Sequence, residues 1–273
     1  MLSGKKLRLS RLHHAVSGKS IIVPMDHGAT LGPINGLIDL ASAVSNLYDT
    51  VSLVQGVVLH RGAMERLGHM LPAHLIPTRI MHISSSTALS MNATAKSQVA
   101  SVEDALQIGA DAVSIHVNLG VETESQMMRD FGTIASQCQR WSMPLLAMMY
   151  VRVNGQVSTN VGDVKLGARV AAEMGADLVK VSYPGSAAAM HEVVDGCFCP
   201  VLIAGGERAE TPQFALHMVR AAMSGGAAGV CIGRNLFQAN DPGNFLRSMA
   251  DAVHGTHPIA QRVHLDYRER QLA

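Results

Sequence analysis

The chain has 273 residues, of which 48% are hydrophobic and 16% charged, and its formal net charge is +1. This length suits one large α/β domain, and the near-neutral charge without a basic block argues against nucleic acid as a partner. No apolar run approaches the roughly 18 residues of a membrane span. The basic N-terminus lacks the apolar region of a signal peptide, so we expect a cytoplasmic protein with no membrane partner.

Eight short apolar segments recur along the chain, and most are continuously apolar rather than alternating. This pattern is typical of the strands of a parallel sheet that is buried on both faces. The predicted strands are Ser20–Met25, Val51–Leu59, Arg79–Ser84, Ala112–Val117, Pro144–Tyr150, Leu178–Ser182, Pro200–Ala204 and Ala228–Ile232.

Segments with helical periodicity lie between many of these strands. The clearest are Ile34–Leu47, Val102–Ile108, Glu122–Cys138, Val164–Met174, Pro212–Ser224 and Asn244–Val253. Strands that alternate with helices in this way predict a (β/α)8 TIM barrel, and we expect residues 1–273 to form a single domain. A doubly wound open sheet is the alternative, but the glycine-rich turn that usually follows its first strand is absent. The first residues are expected to form a short helix across the barrel bottom.

Lys180 lies inside a predicted strand, in the segment Ala-Asp-Leu-Val-Lys-Val-Ser-Tyr (176–183), whereas the other five lysines lie in polar or helical-surface contexts. Burying an unpaired ammonium costs several kcal/mol. A lysine in such a place usually has a lowered pKa and a chemical task, such as forming a Schiff base with a carbonyl. The structural alternative is a strand-end lysine that reaches solvent or pairs with Asp177.

Active sites of such barrels form at the C-terminal ends of the strands. There, Asp26 follows the first predicted strand and Tyr150 ends the fifth, and either can carry the proton transfers that imine chemistry requires. Taken alone, Asp26 is equally consistent with a helix cap, and Tyr150 with a core tyrosine. Together with Lys180 they form a coherent set. His82, within a strand, is expected to be structural. The residues expected to contact the substrate are His27, His116, Arg152 and Ser182.

The loops after strands seven and eight of such barrels often bind phosphate. Glycines there let the backbone approach the anion, and arginines supply charge-assisted hydrogen bonds. Turn-forming glycines with solvated arginines are the alternative. The thirteen histidines form no metal-binding motif, so no metal and no cofactor is expected. The predicted phosphate site consists of Gly205, Gly206, Arg208, Gly233 and Arg234.

Specific motifs span nearly the whole chain, and they are Val23–Gly28, Asp111–Asn118, Pro144–Tyr150, Ala176–Lys180, Ala204–Gly206 and Gly233–Gln238. Together they resemble the lysine-dependent aldolases related to archaeal-type class I fructose-bisphosphate aldolase. Within that family the chain is most similar to the 2-amino-3,7-dideoxy-D-threo-hept-6-ulosonate synthases, which join a keto-sugar phosphate fragment to L-aspartate semialdehyde on a route to aromatic amino acids. The resemblance implies Lys180 as the Schiff-base residue, Tyr150 as the principal proton donor and acceptor, Asp26 as its partner, and a homo-oligomeric ring, often a decamer.

Met148 is typical of the synthases, because the fructose-bisphosphate aldolases that resemble this chain tend to carry tryptophan two residues before the tyrosine. The chain departs from the synthase pattern at Val151–Val153, Val181–Ser186 and Glu207–Arg208, which leaves the substrate open. A relative that joins dihydroxyacetone phosphate to aspartate semialdehyde in aminohydroxybenzoate biosynthesis fits equally well.

Three other functions remain as alternatives at this point. They are fructose-bisphosphate aldolase, a thiolase-like enzyme that passes an acyl group from a phosphorylated dione to coenzyme A, and a catalytically silent barrel that senses sugar phosphates. We expect a class I aldolase or transaldolase. Its partners would be a phosphorylated ketose or triose and an aldehyde acceptor, with L-aspartate semialdehyde as the first choice.

Overall fold

The computed structural model describes residues 3–46, 48–72 and 76–255, so the end of the predicted 1–273 domain lies outside the described residues. Eight parallel strands pair in chain order, and the pairing of the eighth with the first closes a barrel. The predicted (β/α)8 TIM barrel is confirmed. The strands are β1 Ser20–Pro24, β2 Gly56–Leu59, β3 Arg79–His82, β4 Ala112–Leu119, β5 Leu145–Val153, β6 Leu178–Val181, β7 Val201–Ala204 and β8 Gly229–Cys231.

Helices surround this barrel, and none of those described is long and apolar enough to cross a membrane. They are α1 Ser3–Arg11, α2 Gly28–Leu31, α3 Leu40–Ser45, α4 Arg61–Met70, α5 Val102–Gln107, α6 Glu124–Trp141, α7 Val161–Glu173, α8 Ala187–Asp195, α9 Pro212–Ser224, α10 Arg234–Phe237 and α11 Pro242–His254.

Two predicted boundaries are wrong. The strand predicted from Val51 begins only at Gly56, because a 3-10 turn over Tyr48–Leu53 precedes it. The helix predicted over Ile34–Leu47 is confined to α3, which starts where the side chain of Asp39 accepts hydrogen bonds from the first free backbone N–H groups.

The barrel interior is filled by one aliphatic or thiol side chain from each strand. Because side chains alternate between the two faces of a strand, residues two and four positions further on also face inward and reach the C-terminal mouth. Leu12, which follows α1, closes the bottom of this core. The inward-facing residues of the lower layer, all at most 1% exposed, are Ile22, Val58, Ile80, Ala112, Leu146, Leu178, Leu202 and Cys231.

The predicted N-terminal helix, α1, does lie across the barrel bottom, and a buried ion pair anchors it there. Lys5 Nζ is 2.8 Å from Asp177 Oδ2, and Asp177 also accepts a hydrogen bond of 2.9 Å from the Leu145 N–H. Two expectations are therefore wrong. Lys5 is not a surface lysine, and Asp177 pairs with Lys5 rather than with Lys180.

Replacing Asp177 by alanine is expected to destabilise the protein by about 3 kcal/mol, because Lys5 is then left buried without a counter-charge. The measurement is the free energy of unfolding in urea. The matched control is Glu173→Ala, which removes an exposed pair with Arg169 and should change stability by less than about 0.5 kcal/mol. Equal effects of the two substitutions would contradict this role of the buried pair.

Candidate active site

Lys180 is buried on β6, with only 7% of its surface exposed, and its amine faces the barrel mouth. The strand register places it beside Met148 of β5, and its Nζ lies 3.9 Å from the Met148 Sδ. Tyr150 lies two residues further along the same face of β5, from where it interacts electrostatically with the amine. Cys231 of β8 faces the same barrel interior. The amine therefore lies at the boundary between the apolar core and a polar mouth.

The pKa of Lys180 does not shift in the expected direction. Burial lowers it, but the negative charge that Cys231, Tyr150 and Asp26 can carry outweighs burial and raises the pKa above its ordinary value. Burial also raises the pKa of the Cys231 thiol to about 11, which leaves it neutral near pH 7. Lys180 is consequently an ammonium at neutral pH, and it must pass a proton to a neighbour before it can act as a nucleophile.

Asp26 directly follows β1 and lies among histidines. Its Oδ1 is 3.8 Å from His27 Nδ1, and its Oδ2 is 3.7 Å from His82 Nε2. Burial acts to raise the pKa of Asp26, but the positive charges that His82, His27 and Lys180 can carry lower it to about 2. The mouth therefore holds a permanent carboxylate at neutral pH, close enough to Lys180 to interact with its charge.

His82 is bonded as a structural residue, yet it also belongs to the site. Its Nδ1 is 2.8 Å from the Ser114 hydroxyl, which satisfies one ring nitrogen, while the other nitrogen faces Asp26. The ring of His60 meets it edge to face at 5.2 Å. Burial lowers the pKa of His82 to about 4. Its imidazole is therefore neutral at pH 7 and leaves the Asp26 carboxylate available to Lys180.

Asn118 of β4, which is fully buried, joins several of the predicted site residues. Its side-chain oxygen accepts a hydrogen bond of 2.8 Å from Arg152 Nε and lies 3.2 Å from His116 Nε2. Its amide donates to the Thr94 carbonyl at 2.8 Å. The His116 ring in turn packs against the Tyr150 ring, with centroids 4.9 Å apart. Asn118 was not in the predicted site, although its position on the inward face of β4 is a signal for it.

The loop after β3 brings a second lysine into the mouth, and sequence reasoning missed it. Residues 83–101 fold back as a short antiparallel hairpin between Ser84–Ser85 and Ser97–Gln98. Lys96, beside this hairpin, is half-buried, and its Nζ donates a hydrogen bond of 2.7 Å to the Ser86 hydroxyl. Its surroundings are polar, as the sequence indicates, but its position at the mouth was not predicted. The length of this loop was the available signal, because long loops in compact domains are usually functional.

The loops after β7 and β8 are held together by Asn235. Its amide nitrogen donates to the carbonyls of Gly205 and Glu207 at 2.9 and 3.1 Å, and its oxygen accepts from the Ala209 N–H at 2.7 Å. These bonds cross from one loop to the other. They give the Gly-Gly segment a defined backbone conformation, which is a requirement for binding an anion through N–H groups.

Two of the predicted glycines have a physical reason to be glycine. Gly206 has a φ of +67°, which side chains disfavour, and a Cβ on Gly233 would lie 2.6 Å from the Pro24 carbonyl oxygen. Gly233 also lies against the ring of His27, which packs edge to face on Phe237 at 5.4 Å. The backbone at Gly206 is therefore open to a ligand, whereas Gly233 is required by the close packing of the neighbouring protein atoms.

The two arginines of the predicted phosphate site differ in their exposure and surroundings. Arg234 is half-buried at the start of α10, with its guanidinium 3.8 Å from the exposed carboxylate of Glu207. Arg208 is exposed and lines a cleft of about 330 Å³ between α9 and α11, which Arg234 does not line. Of the two arginines, Arg234 is the better placed to meet an anion at the mouth.

Ser182, which was predicted to contact the substrate, lies one residue beyond β6 and is half-buried.

The buried histidines predict a loss of stability in mild acid. Burial lowers the pKa of His82 from 6.5 to about 4. At pH values between these two, the unfolded chain therefore binds a proton at His82 that the folded chain does not bind. Stability should therefore fall with decreasing pH, by about 1.4 kcal/mol per unit for this one group. Between pH 6.5 and pH 5, the free energy of unfolding of His82→Gln should fall by about 2 kcal/mol less than that of the wild type.

Urea unfolding at the two pH values measures this difference. His191→Gln is the control, because His191 is exposed and its substitution should leave the pH dependence unchanged. If His82→Gln and the wild type lost the same stability, the neutral, buried state of His82 would be disproved.

We compared the sequence with models of protein families and with known proteins, and the results agree with one another. The model of a family described as DeoC/LacD family aldolase matches residues 20–239. The 2-amino-4,5-dihydroxy-6-oxo-7-(phosphonooxy)heptanoate synthase of Streptomyces griseus is 43% identical over 256 residues, which cover 92% of this chain and 91% of the relative. The 2-amino-3,7-dideoxy-D-threo-hept-6-ulosonate synthase 1 of Archaeoglobus fulgidus is 38% identical over 252 residues, which cover 92% of each chain.

Solved structures of archaeal fructose 1,6-bisphosphate aldolase share the fold. One superposes with a TM-score of 0.83 at 29% identity, covering 92% of this chain and 99% of the other. Another, with its catalytic lysine covalently bound to the carbinolamine intermediate of the substrate, has a TM-score of 0.82 at 28% identity and covers 92% of this chain and all of the other.

Proposed function

The chain belongs to the DeoC/LacD aldolase family, and we propose that it joins a phosphorylated keto donor, held as a Schiff base on Lys180, to L-aspartate semialdehyde. The observation that carries the proposal is the buried Lys180 amine, which lies beside Met148 and is influenced by the charge of Asp26, with Tyr150 two residues beyond Met148 on the same face of β5. These are the groups that imine formation and carbon–carbon bond formation require.

The first stage is attack on the donor ketone. The Lys180 ammonium passes a proton to the Asp26 carboxylate, directly or through Tyr150, and its freed lone pair attacks the carbonyl carbon. The resulting carbinolamine loses its hydroxyl as water when Tyr150 donates a proton, which leaves an iminium on Nζ. Tyr150 suits this role because it lies on the inward face of β5, two residues beyond the Met148 that contacts the amine, and its hydroxyl can both donate and accept a proton.

The second stage makes the new bond. The iminium withdraws electrons, so the Tyr150 phenolate left by the dehydration can remove a proton from the adjacent carbon, which forms an enamine and restores the Tyr150 hydroxyl. The enamine carbon attacks the aldehyde carbon of the acceptor, and the new alkoxide takes a proton from Tyr150. Hydrolysis of the remaining iminium releases the product ketone and returns Lys180 as an amine.

The choice of substrates follows from the product named for the Streptomyces relative. Breaking that seven-carbon chain between its two hydroxylated carbons yields dihydroxyacetone phosphate and aspartate semialdehyde. The open space around Gly206, together with Arg234, supports a phosphorylated donor. The homo-oligomeric, often decameric assembly and the cytoplasmic location stay predictions.

Fructose-bisphosphate aldolase is the second candidate, because archaeal enzymes with this activity superpose with a TM-score of 0.83. Two observations favour the synthase. The Streptomyces relative is 43% identical to the chain, against 29% for that aldolase. The side chain beside the Lys180 amine is Met148, an adaptable thioether, and the position does not carry the bulky tryptophan typical of the aldolases.

Borohydride reduction in the presence of dihydroxyacetone phosphate should leave a covalent adduct on Lys180, because an iminium is reducible. Mass spectrometry of peptides locates the adduct. Lys180→Met should abolish both trapping and turnover, whereas Lys165→Met, at an exposed site on α7, should change neither. Tyr150→Phe should lower turnover by about 10²–10⁴-fold, and far more than it lowers trapping, because the nucleophile is still present. An adduct on a different lysine would refute the assignment.

The acceptor is tested by a direct competition. With dihydroxyacetone phosphate as donor, kcat/KM for L-aspartate semialdehyde should exceed that for glyceraldehyde 3-phosphate by at least about tenfold, as expected when one acceptor leaves a charged group unpaired. Efficient cleavage of fructose 1,6-bisphosphate, or the reverse preference, would instead establish the second candidate.

A further inference from the structure

Two cations lie on the side of the mouth formed by β3, β4 and β5 without an acidic partner. Lys96 and Arg152 are both half-buried, and neither has a carboxylate within ion-pair distance among the described residues. Arg152 donates hydrogen bonds to the Asn118 side chain and to the Gly155 carbonyl, and Lys96 donates to the Ser86 hydroxyl. Donor hydrogens on both groups therefore remain available to a ligand.

The electrostatics of this side of the mouth favour an additional anion. Burial lowers the pKa of Lys96, the charge of Asp26 acts to raise it, and the charge of Arg152 acts to lower it. Lys96 in turn lowers the pKa of His116 and of His82, so its charge acts on other groups on this side of the mouth. Like charges held together at reduced solvent exposure are stabilised when a ligand supplies the opposite charge.

We propose that Lys96, together with Arg152, forms the subsite that binds the carboxylate of the acceptor aldehyde. The inference rests on the proposed function, since it assumes an acceptor with an acidic end. Arg234 and the Gly-Gly loop lie beyond β7 and β8, on the other side of Lys180 from Lys96. A product with a phosphate at one end and a carboxylate at the other then spans the mouth, with its new carbon–carbon bond above the Lys180 amine.

The opposite assignment, with Lys96 as a donor-phosphate ligand, is distinguishable by experiment. The acceptors are L-aspartate semialdehyde, succinate semialdehyde, which lacks the amine, and butanal, which lacks the amine and the carboxylate. The donors are dihydroxyacetone phosphate and dihydroxyacetone. Lys96→Met and Arg234→Met are compared with the wild type, and Lys165→Met is the control for loss of a lysine outside the site.

Lys96→Met should lower kcat/KM with both semialdehydes about 10- to 100-fold more than with butanal, which is the usual range for losing a hydrogen bond to a charged group. The preference for the phosphorylated donor should persist. Arg234→Met should show the reverse pattern, and lose the donor preference while it keeps the acceptor preference. Borohydride trapping of Lys180 in Lys96→Met verifies that the fold and the donor half are intact.

Several results would overturn the inference. One is an equal loss with all three acceptors, which indicates a structural role in holding the loop after β3. Another is a loss of kcat/KM that depends on whether the donor carries a phosphate. If Lys96→Met does not fold, Lys96→Gln keeps a donor for Ser86 without the charge and should give the same selectivity change. If the wild type does not use L-aspartate semialdehyde, the proposed acceptor is wrong and this inference fails with it. If the wild type uses L-aspartate semialdehyde and Lys96→Gln keeps the preference for acceptors with a carboxylate, only this inference is wrong.

Discussion

The buried ammonium of Lys180 is the constraint on which the rest of the site depends. The layer beneath it is aliphatic apart from one neutral thiol, so its charge can be balanced only from the mouth above. The Asp26 carboxylate supplies that balance, and Tyr150 also interacts electrostatically with the amine. The same two groups are the ones that can accept the proton whose loss turns the ammonium into a nucleophile. The physical requirement of charge balance and the chemical requirement of proton transfer are therefore met by the same side chains.

The histidines around Asp26 have a complementary effect. Burial lowers the pKa of His27, His60, His82 and His116, so they do not neutralise the carboxylate at neutral pH. His27 and His82 lie beside it, with ring nitrogens 3.8 and 3.7 Å from its oxygens, and their neutral rings do not compete for its charge. A ring of neutral imidazoles thus keeps Asp26 available for interaction with Lys180.

Buried amides have a comparable organising role. Asn118 connects β4 to Arg152 and to the loop after β3, and Asn235 connects the loop after β8 to that after β7. An amide offers both donors and acceptors, so one side chain can satisfy backbone groups of an irregular loop and orient a functional residue. The two ends of the mouth, where a carboxylate and a phosphate are proposed to bind, are each built around such a residue.

The sequence by itself determined the barrel and the face on which the chemistry lies. Continuous apolar runs predicted all eight strands, and their two-residue alternation places Asp26, Tyr150 and Lys180 toward the interior. Only the tertiary structure decided the partners. It assigned Asp177 to Lys5, raised rather than lowered the pKa of Lys180, and brought Lys96 to the mouth. Periodicity is a local property that survives in a single segment, whereas pairing and pKa depend on which distant segments meet, and loops carry no periodicity from which that could be read.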